Sequence, residues 1–149
     1  MKLSKTSAQA ALAMAYLVGR GRETGPIQAR QVGDHLGIPT DSALKILQAL
    51  ARRNLINSQL GRTGGYQCDD SGRSRTLLEV VEAIDGPLSG SRTALNKSTR
   101  DELTGSVNIL EEACRQATIR FREELSKYKV ADLVDCRHLD MATSHACSV

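Results

Sequence analysis

The sequence predicts a mainly α fold with one short two-stranded hairpin and a long helix near its end. Three features predict it. Up to residue 53, apolar residues recur at helical spacing in short stretches punctuated by Gly and Pro. Residues 59–66, Gln-Leu-Gly-Arg-Thr-Gly-Gly-Tyr, are a glycine-rich basic segment suited to a hairpin tip. From Leu103 to Leu125, apolar residues step by three and four, a spacing close to a heptad seam.

The elements follow in chain order. A first helix is expected over Ser7 to Val18, with Ala8, Ala11, Leu12, Ala15 and either Tyr16 or Val18 on its apolar face; the Gly-Arg-Gly at 19–21 ends it. A short second helix is marked by Val32 and Leu36, four apart, and stopped by Gly37. Pro39 cannot continue that helix, and Thr40 is a suitable N-cap for a third running to about Arg53. Ala43, Ile46, Leu47 and Leu50 share one face of this third helix, and Asp41, Lys45, Gln48 and Arg52 share the opposite one. A short helix, a sharp turn and a second helix with a hydrogen-bonding outer face form a helix-turn-helix.

Leu55–Ser58 and Tyr66–Cys68 read as the two strands of a wing around the glycine hairpin. Thr76 caps a fourth helix that is apolar on more than one side and stops at Gly86-Pro87. A winged domain is thus expected over 1–87, a Ser- and Thr-rich linker over 88–100, a dimerisation-helix region over 101–134, and a polar, disorder-prone tail over 135–149. The seam Leu103, Val107, Leu110, Cys114, Ala117, Phe121 and Leu125 needs a partner, and a second copy of the chain is the simplest one.

Charge points to a nucleic acid. The formal net charge is only +3, but residues 45–75 hold Lys45, Arg52, Arg53, Arg62, Arg73 and Arg75 against Asp69 and Asp70. Aromatic residues make up 3% of the chain, with no Trp and one Phe, which argues against the stacking platforms of single-strand and RNA binders. The expected partner is therefore double-stranded DNA. Thr40, Ser42, Lys45, Gln48 and Arg52 on the third helix, and Arg62, Thr63, Gly64, Gly65 and Tyr66 on the wing, are the candidate contacts. Lys45 and Arg52 suit phosphate; Ser42, Lys45 and Gln48 suit base edges. Asp41 either supports the positive helix N-terminus or accepts from a cytosine.

Other classes have less support. No Ser or Cys nucleophile lies in a recognised pattern with a His, so no catalytic residues are assigned and an enzyme is not expected. The glycine hairpin is not a nucleotide-phosphate loop, because no Gly-Lys-Ser/Thr follows it. No signal peptide or membrane span is expected, and four irregularly spaced cysteines do not make a secreted disulfide framework; the cytoplasm is the expected compartment. Cys114 reads as a seam residue, and Cys68 as an exposed thiol near the wing strand. Cys136, His138, His145 and Cys147 could hold a metal, but match no familiar module, and His35 reads as an ordinary helix residue; no metal or other cofactor is assigned.

With these residues in place, the chain resembles the Rrf-two family of bacterial winged-helix regulators. The resemblance rests on Met1-Lys2-Leu3-Ser4, Gly37-Ile38-Pro39, the run Leu50–Ile56, the wing 61–66, the segment Thr76–Pro87 and Val130-Ala131-Asp132-Leu133. The wing followed by Thr-Leu-Leu-Glu-Val-Val is its specific part. It implies a homodimeric, sequence-specific transcription regulator; because a protein occupying a promoter blocks polymerase, repression is expected in preference to activation. Two departures stand out: residues 88–108 contain no cysteine, where the family's sensing members carry three, and Leu60 stands where the wing usually has a basic residue. An iron–sulfur cluster of the family type is therefore not expected. The alternatives are a thiol-redox or metal-responsive sensor using Cys68 or the tail, and a protein-binding adaptor that keeps the fold.

Overall fold

The computed structural model describes residues 3–21, 24–89 and 97–135. Helix α1 (Lys5–Arg20) is capped by Ser4, whose Oγ accepts the Ser7 N–H at 3.0 Å. It buries Ser7, Ala10, Ala13, Met14, Leu17 and Val18, while Ala8 and Leu12 are exposed. This face is nearly opposite the expected one. Alanine recurs all around this helix and gains little on burial, so the larger Met14, Leu17 and Val18 decide which side turns inward.

Helices α2 (Ala29–Leu36) and α3 (Thr40–Arg52) pack together across a turn through Gly37, which lies in the left-handed region at φ 64°. Gly33 also admits no side chain, since a Cβ there would sit 2.9 Å from the Ile38 carbonyl oxygen. Thr40 is the first residue of α3 and not its cap; Pro39 holds that place, and its carbonyl accepts the N–H groups of Ser42 and Ala43. Ala43, Ile46, Leu47 and Leu50 are buried as the periodicity requires.

Strands β1 (Asn57–Gln59) and β2 (Gly65–Gln67) pair antiparallel with Ser58 opposite Tyr66. Each lies one to two residues nearer the tip than expected, because Leu55, Ile56 and Cys68 are drawn into the core. The glycines divide their work. Only Gly61 has positive φ, at 112°, whereas Gly64 and Gly65 are needed for close approach: a Cβ would lie 2.2 Å from the Gln59 oxygen at Gly64 and 2.5 Å from the Ile27 oxygen at Gly65. Ile27 and Tyr66 exchange two backbone hydrogen bonds of 2.8 Å, so the loop before α2 adds one bridge to the sheet.

A 3₁₀ turn (Asp70–Ser74) leads to α4 (Leu77–Asp85). Thr76 and Glu79 form a capping box: the Thr76 hydroxyl accepts the Glu79 N–H, and Glu79 Oε2 accepts the Thr76 N–H at 2.7 Å. At the other end of α4, Asp85 accepts hydroxyl hydrogen bonds from Ser4 at 2.9 Å and buried Ser7 at 2.7 Å, tying α4 to the start of α1.

The expected linker ends early: α5 (Lys97–Glu102) begins inside it, and a break at Leu103 precedes α6 (Thr104–Lys127), 24 residues or about 36 Å long. The expected seam is split. Val107 and Leu125 are buried and Phe121 half-buried, but Leu103, Leu110, Cys114 and Ala117 are exposed. The Arg122 guanidinium pairs with Glu82 and donates to the Leu88 carbonyl at 3.2 Å, joining α6 to α4 and the segment after it. The last helix, α7 (Val130–Val134), does not continue the long-helix region but packs on α1, with Val130 fully buried beside Met14, Leu17, Leu47, Leu50 and Val80 in the core. The Val130 N–H donates to the Arg75 carbonyl at 2.8 Å and the Leu77 N–H to the Tyr128 carbonyl at 2.9 Å.

Two outcomes test this account. Partial burial raises the Glu79 pKa, but hydrogen bonds from Thr76 and Arg75 outweigh it and leave the pKa below the usual Glu value. Its charged form therefore adds stability above the unfolded pKa near 4.3, lost as pH falls through the lower folded value. Glu79→Gln should melt below the parent at pH 7, and the two melting temperatures should converge on acidification; a gap independent of pH would count against this. Gly64→Ala should disrupt the wing while far-ultraviolet dichroism stays near the parent's, and an unaltered hydrogen-exchange pattern across residues 57–67 would contradict the contact geometry.

Candidate nucleic-acid interface

Burial of one face of α3 forces the other outward. At about 100° per residue, Gln48, Asp41, Arg52 and Lys45 fall within about 60° of one another, and all four are exposed. Two grooves flank this ridge. One, of about 350 Å³, runs toward the wing and is lined by Gln48, Ala51, Arg52, Ser58 and Tyr66. The other, of about 300 Å³, runs toward α1 and α4, with Thr6, Gln9, Ser42, Lys45 and Ala49 among its lining residues.

The expected contact residues are brought to one side of the molecule with different roles. Thr40, Lys45, Gln48 and Arg52 are exposed on α3, and Arg62 and Thr63 are exposed at the wing tip. Ser42 is half-buried on the α1 side of the ridge. Gly64 is buried and its N–H donates to the Gly61 carbonyl at 3.0 Å, so it shapes the hairpin, as Gly65 does. Tyr66 is half-buried at the floor of the wing-side groove. Thr6, Gln9 and Ser58 line the grooves without having been singled out from sequence, because nothing local in the chain places α1 beside α3. Leu60 is 96% exposed beside the tip.

Electrostatics sharpen the count of basic residues. Arg73 pairs with Asp135 at 2.6 Å and Arg75 with Glu79 at 3.0 Å, so the charge of each is offset locally. Lys45, Arg52, Arg53 and Arg62 are exposed and make no ion pair among the described residues. Of these, Arg53 turns away from the ridge toward a cavity shared with Arg75, Glu79 and Glu82. The positive charge facing outward is carried by Lys45, Arg52 and Arg62.

The expected exposed thiol is not one. Cys68 is 3% exposed, its Sγ donates to the Leu55 carbonyl at 3.7 Å, and burial, reinforced by the nearby Asp69 charge, pushes its pKa up to about 11. A thiol so disfavoured as thiolate is a core residue. Cys114, expected in a packed seam, is exposed on α6. Cys136, His138, His145 and Cys147 lie outside the described residues. Among the described residues no three His, Cys, Asp or Glu side chains converge to hold a metal, and no helix is long and apolar enough to cross a membrane.

Residues 3–136 match the family model for Rrf2, described as an iron-dependent transcriptional regulator. A protein of Mycobacterium tuberculosis named as an HTH-type transcriptional regulator is 30% identical over 92 residues; the match covers 62% of this chain but only 56% of that protein. Protein aau3 of Rhizobium meliloti is 27% identical over 92% of this chain and 87% of its own length. The HTH-type transcriptional regulator IscR of Citrobacter koseri is 24% identical over 93% and 88%. In fold, the chain is similar to CymR, the global cysteine regulator of B. subtilis, with a TM-score of 0.65, 18% identity, and coverage of 90% of this chain and 96% of that one. It is also similar to IscR of T. potens, with a TM-score of 0.62, 17% identity, and coverage of 95% and 93%. The match over residues 3–136, together with a helix-turn-helix, a wing and a long helix in the expected order, places this chain in the Rrf2 (Rrf-two) family of transcriptional regulators.

Proposed function

We propose that the protein is a homodimeric regulator that binds duplex DNA in a sequence-specific manner and represses transcription by occupying promoters. One observation carries this reading: the outer face of α3 presents Lys45, Gln48 and Arg52 beside a projecting wing that carries Arg62. A helix of this diameter fits the major groove, and an arginine on the wing reaches the adjoining backbone or minor groove. Names given to relatives support the same class, since regulators recur among them.

The reading includes no iron–sulfur cluster. Residues 88–108 contain no cysteine, Cys68 is packed under the wing, and Cys114 stands alone on α6, which supports the absence of a family-type cluster. Burial of Cys68 also weakens the case for thiol sensing at that residue. Dimerisation draws support from the strip formed by Leu103, just before α6, and by Leu110, Cys114 and Ala117 on α6, all exposed in the single chain, with Leu103 53% and Leu110 48% exposed. An apolar stripe of that length on an isolated copy calls for a partner, and a second α6 matches it in length and character. Two reading helices would then enter successive major grooves about one helical turn apart.

Binding of the full chain to duplex selected from random sequence tests the function. Lys45→Ala or Arg62→Ala should weaken binding by about 1–3 kcal/mol, roughly five- to a hundredfold, and a lost phosphate contact should lower the salt slope by about one. Parent-like affinity for both variants at moderate salt would place the interface elsewhere. Leu110→Glu should shift sedimentation toward monomer and cost more affinity on a two-half-site duplex than on a single half-site; an unchanged dimer would remove α6 from the subunit contact.

A further inference from the structure

The inference rests on the DNA-reading function proposed above and concerns how the reading face selects a sequence. Asp41 lies in the first turn of α3 and is exposed. Its direction falls between those of Gln48 and Arg52, within about 20° of each, so it lies on the midline of the outward ridge, at the ridge's N-terminal end. Its first-turn position lets its charge support the positive helix end, a role that uses no hydrogen bond and leaves the carboxylate oxygens open to a donor. Pro39 occupies the N-cap, its carbonyl takes the first-turn amides of Ser42 and Ala43, and no side chain bonds to the helix start. Asp41 also makes no ion pair among the described residues, although Lys45 follows it by one turn.

An unpaired carboxylate on the midline of a helix face that must approach DNA is unfavourable on every sequence unless a base edge supplies a donor. In the major groove only cytosine N4 and adenine N6 do so; guanine and thymine offer acceptors. Adenine sets its N7 acceptor beside N6, which meets the carboxylate with like polarity, whereas the cytosine edge next to N4 bears only C–H. Gln48, the neighbour on the wing side, suits adenine and leaves the cytosine position to Asp41. We propose that Asp41 is the base-selecting residue of this face, accepting from the N4 amino group of one cytosine per half-site and excluding other bases there by charge. Lys45, Arg52 and Arg62 supply attraction that is indifferent to sequence, and Asp41 supplies discrimination.

The test selects duplexes from random sequence with the full chain and with Asp41→Asn, then measures competition by duplexes changed one base pair at a time. The parent should prefer cytosine at one position per half-site by about tenfold or more. In Asp41→Asn that preference should vanish or turn to adenine while other positions keep theirs, and affinity for unrelated duplex should rise. Asp34→Asn, which removes an exposed carboxylate from α2, should leave every preference in place. An Asp41→Asn protein with the parent's cytosine preference would overturn the assignment, as would a change spread over all positions. A parent that enriches no sequence would overturn the sequence-specific reading itself, a result distinct from either.

Discussion

Two isolated backbone bridges hold the functional appendages of this fold to its helical core. Ile27 and Tyr66 exchange hydrogen bonds of 2.8 Å and so fix the wing against the loop that leads into the helix-turn-helix. Thr76 and Lys129 form the second bridge, through bonds from Leu77 to Tyr128 and from Val130 to Arg75, and it fixes the end of the long helix against the start of α4. Partly buried peptide groups must be paired, so each bridge brings its partner chain to a set distance and register. The first is possible only with glycine at 65, because a Cβ would strike the Ile27 carbonyl. A two-stranded hairpin is marginal by itself; the extra bridge, with Leu55, Ile56 and Cys68 rooted in the core, makes it a rigid projection.

The interface that results is polar and sparing in charge. Half of the six basic residues between 45 and 75 face away from the ridge or are neutralised: Arg53 turns to another cavity, while Arg73 and Arg75 hold the 3₁₀ turn and the α4 cap in place. With Leu60 at the wing and Asp41 on the ridge, the proposed interface would attract phosphate only modestly. Weak general attraction would lower non-specific binding, and since specificity is a ratio of affinities, base contacts would then decide occupancy in the proposed complex.

Legibility in the sequence followed the contrast between neighbouring side chains. In α3 the apolar residues Ala43, Ile46, Leu47 and Leu50 oppose charged or amide residues, and both faces could be read directly. In α1 alanine surrounds the helix, so the pattern admitted two solutions and the buried face was set by Met14 and Leu17 packing in three dimensions. Glycine located the wing, but β-propensity misplaced its strands, since Leu55 and Ile56 are apolar for the core and not for the sheet. Ser7 shows a further limit: a serine with no exposed surface is explained only by Asp85, 78 residues away. The return of α7 onto α1 likewise leaves no local mark.

The long helix failed a simple reading because only part of its expected seam meets the chain's own body. Val107, Thr118 and Leu125 face the chain's own body, and Leu103, Leu110, Cys114 and Ala117 lie along an adjoining open strip. Val107 and Leu125 interleave with the open residues at steps of three and four, so periodicity merges the two sets. Their separation matters mechanically. The inward set, with Arg122 on Glu82 and Leu88, sets the angle of α6 against α4. Helix α4 in turn holds Ser4 and Ser7 of α1 through Asp85, beside the groove that Thr6 and Gln9 share with Ser42 and Lys45. In the proposed dimer, the distance between the two reading helices therefore depends on contacts within each chain, running from α6 through α4 to the edge of α3, as well as on how the open strips meet.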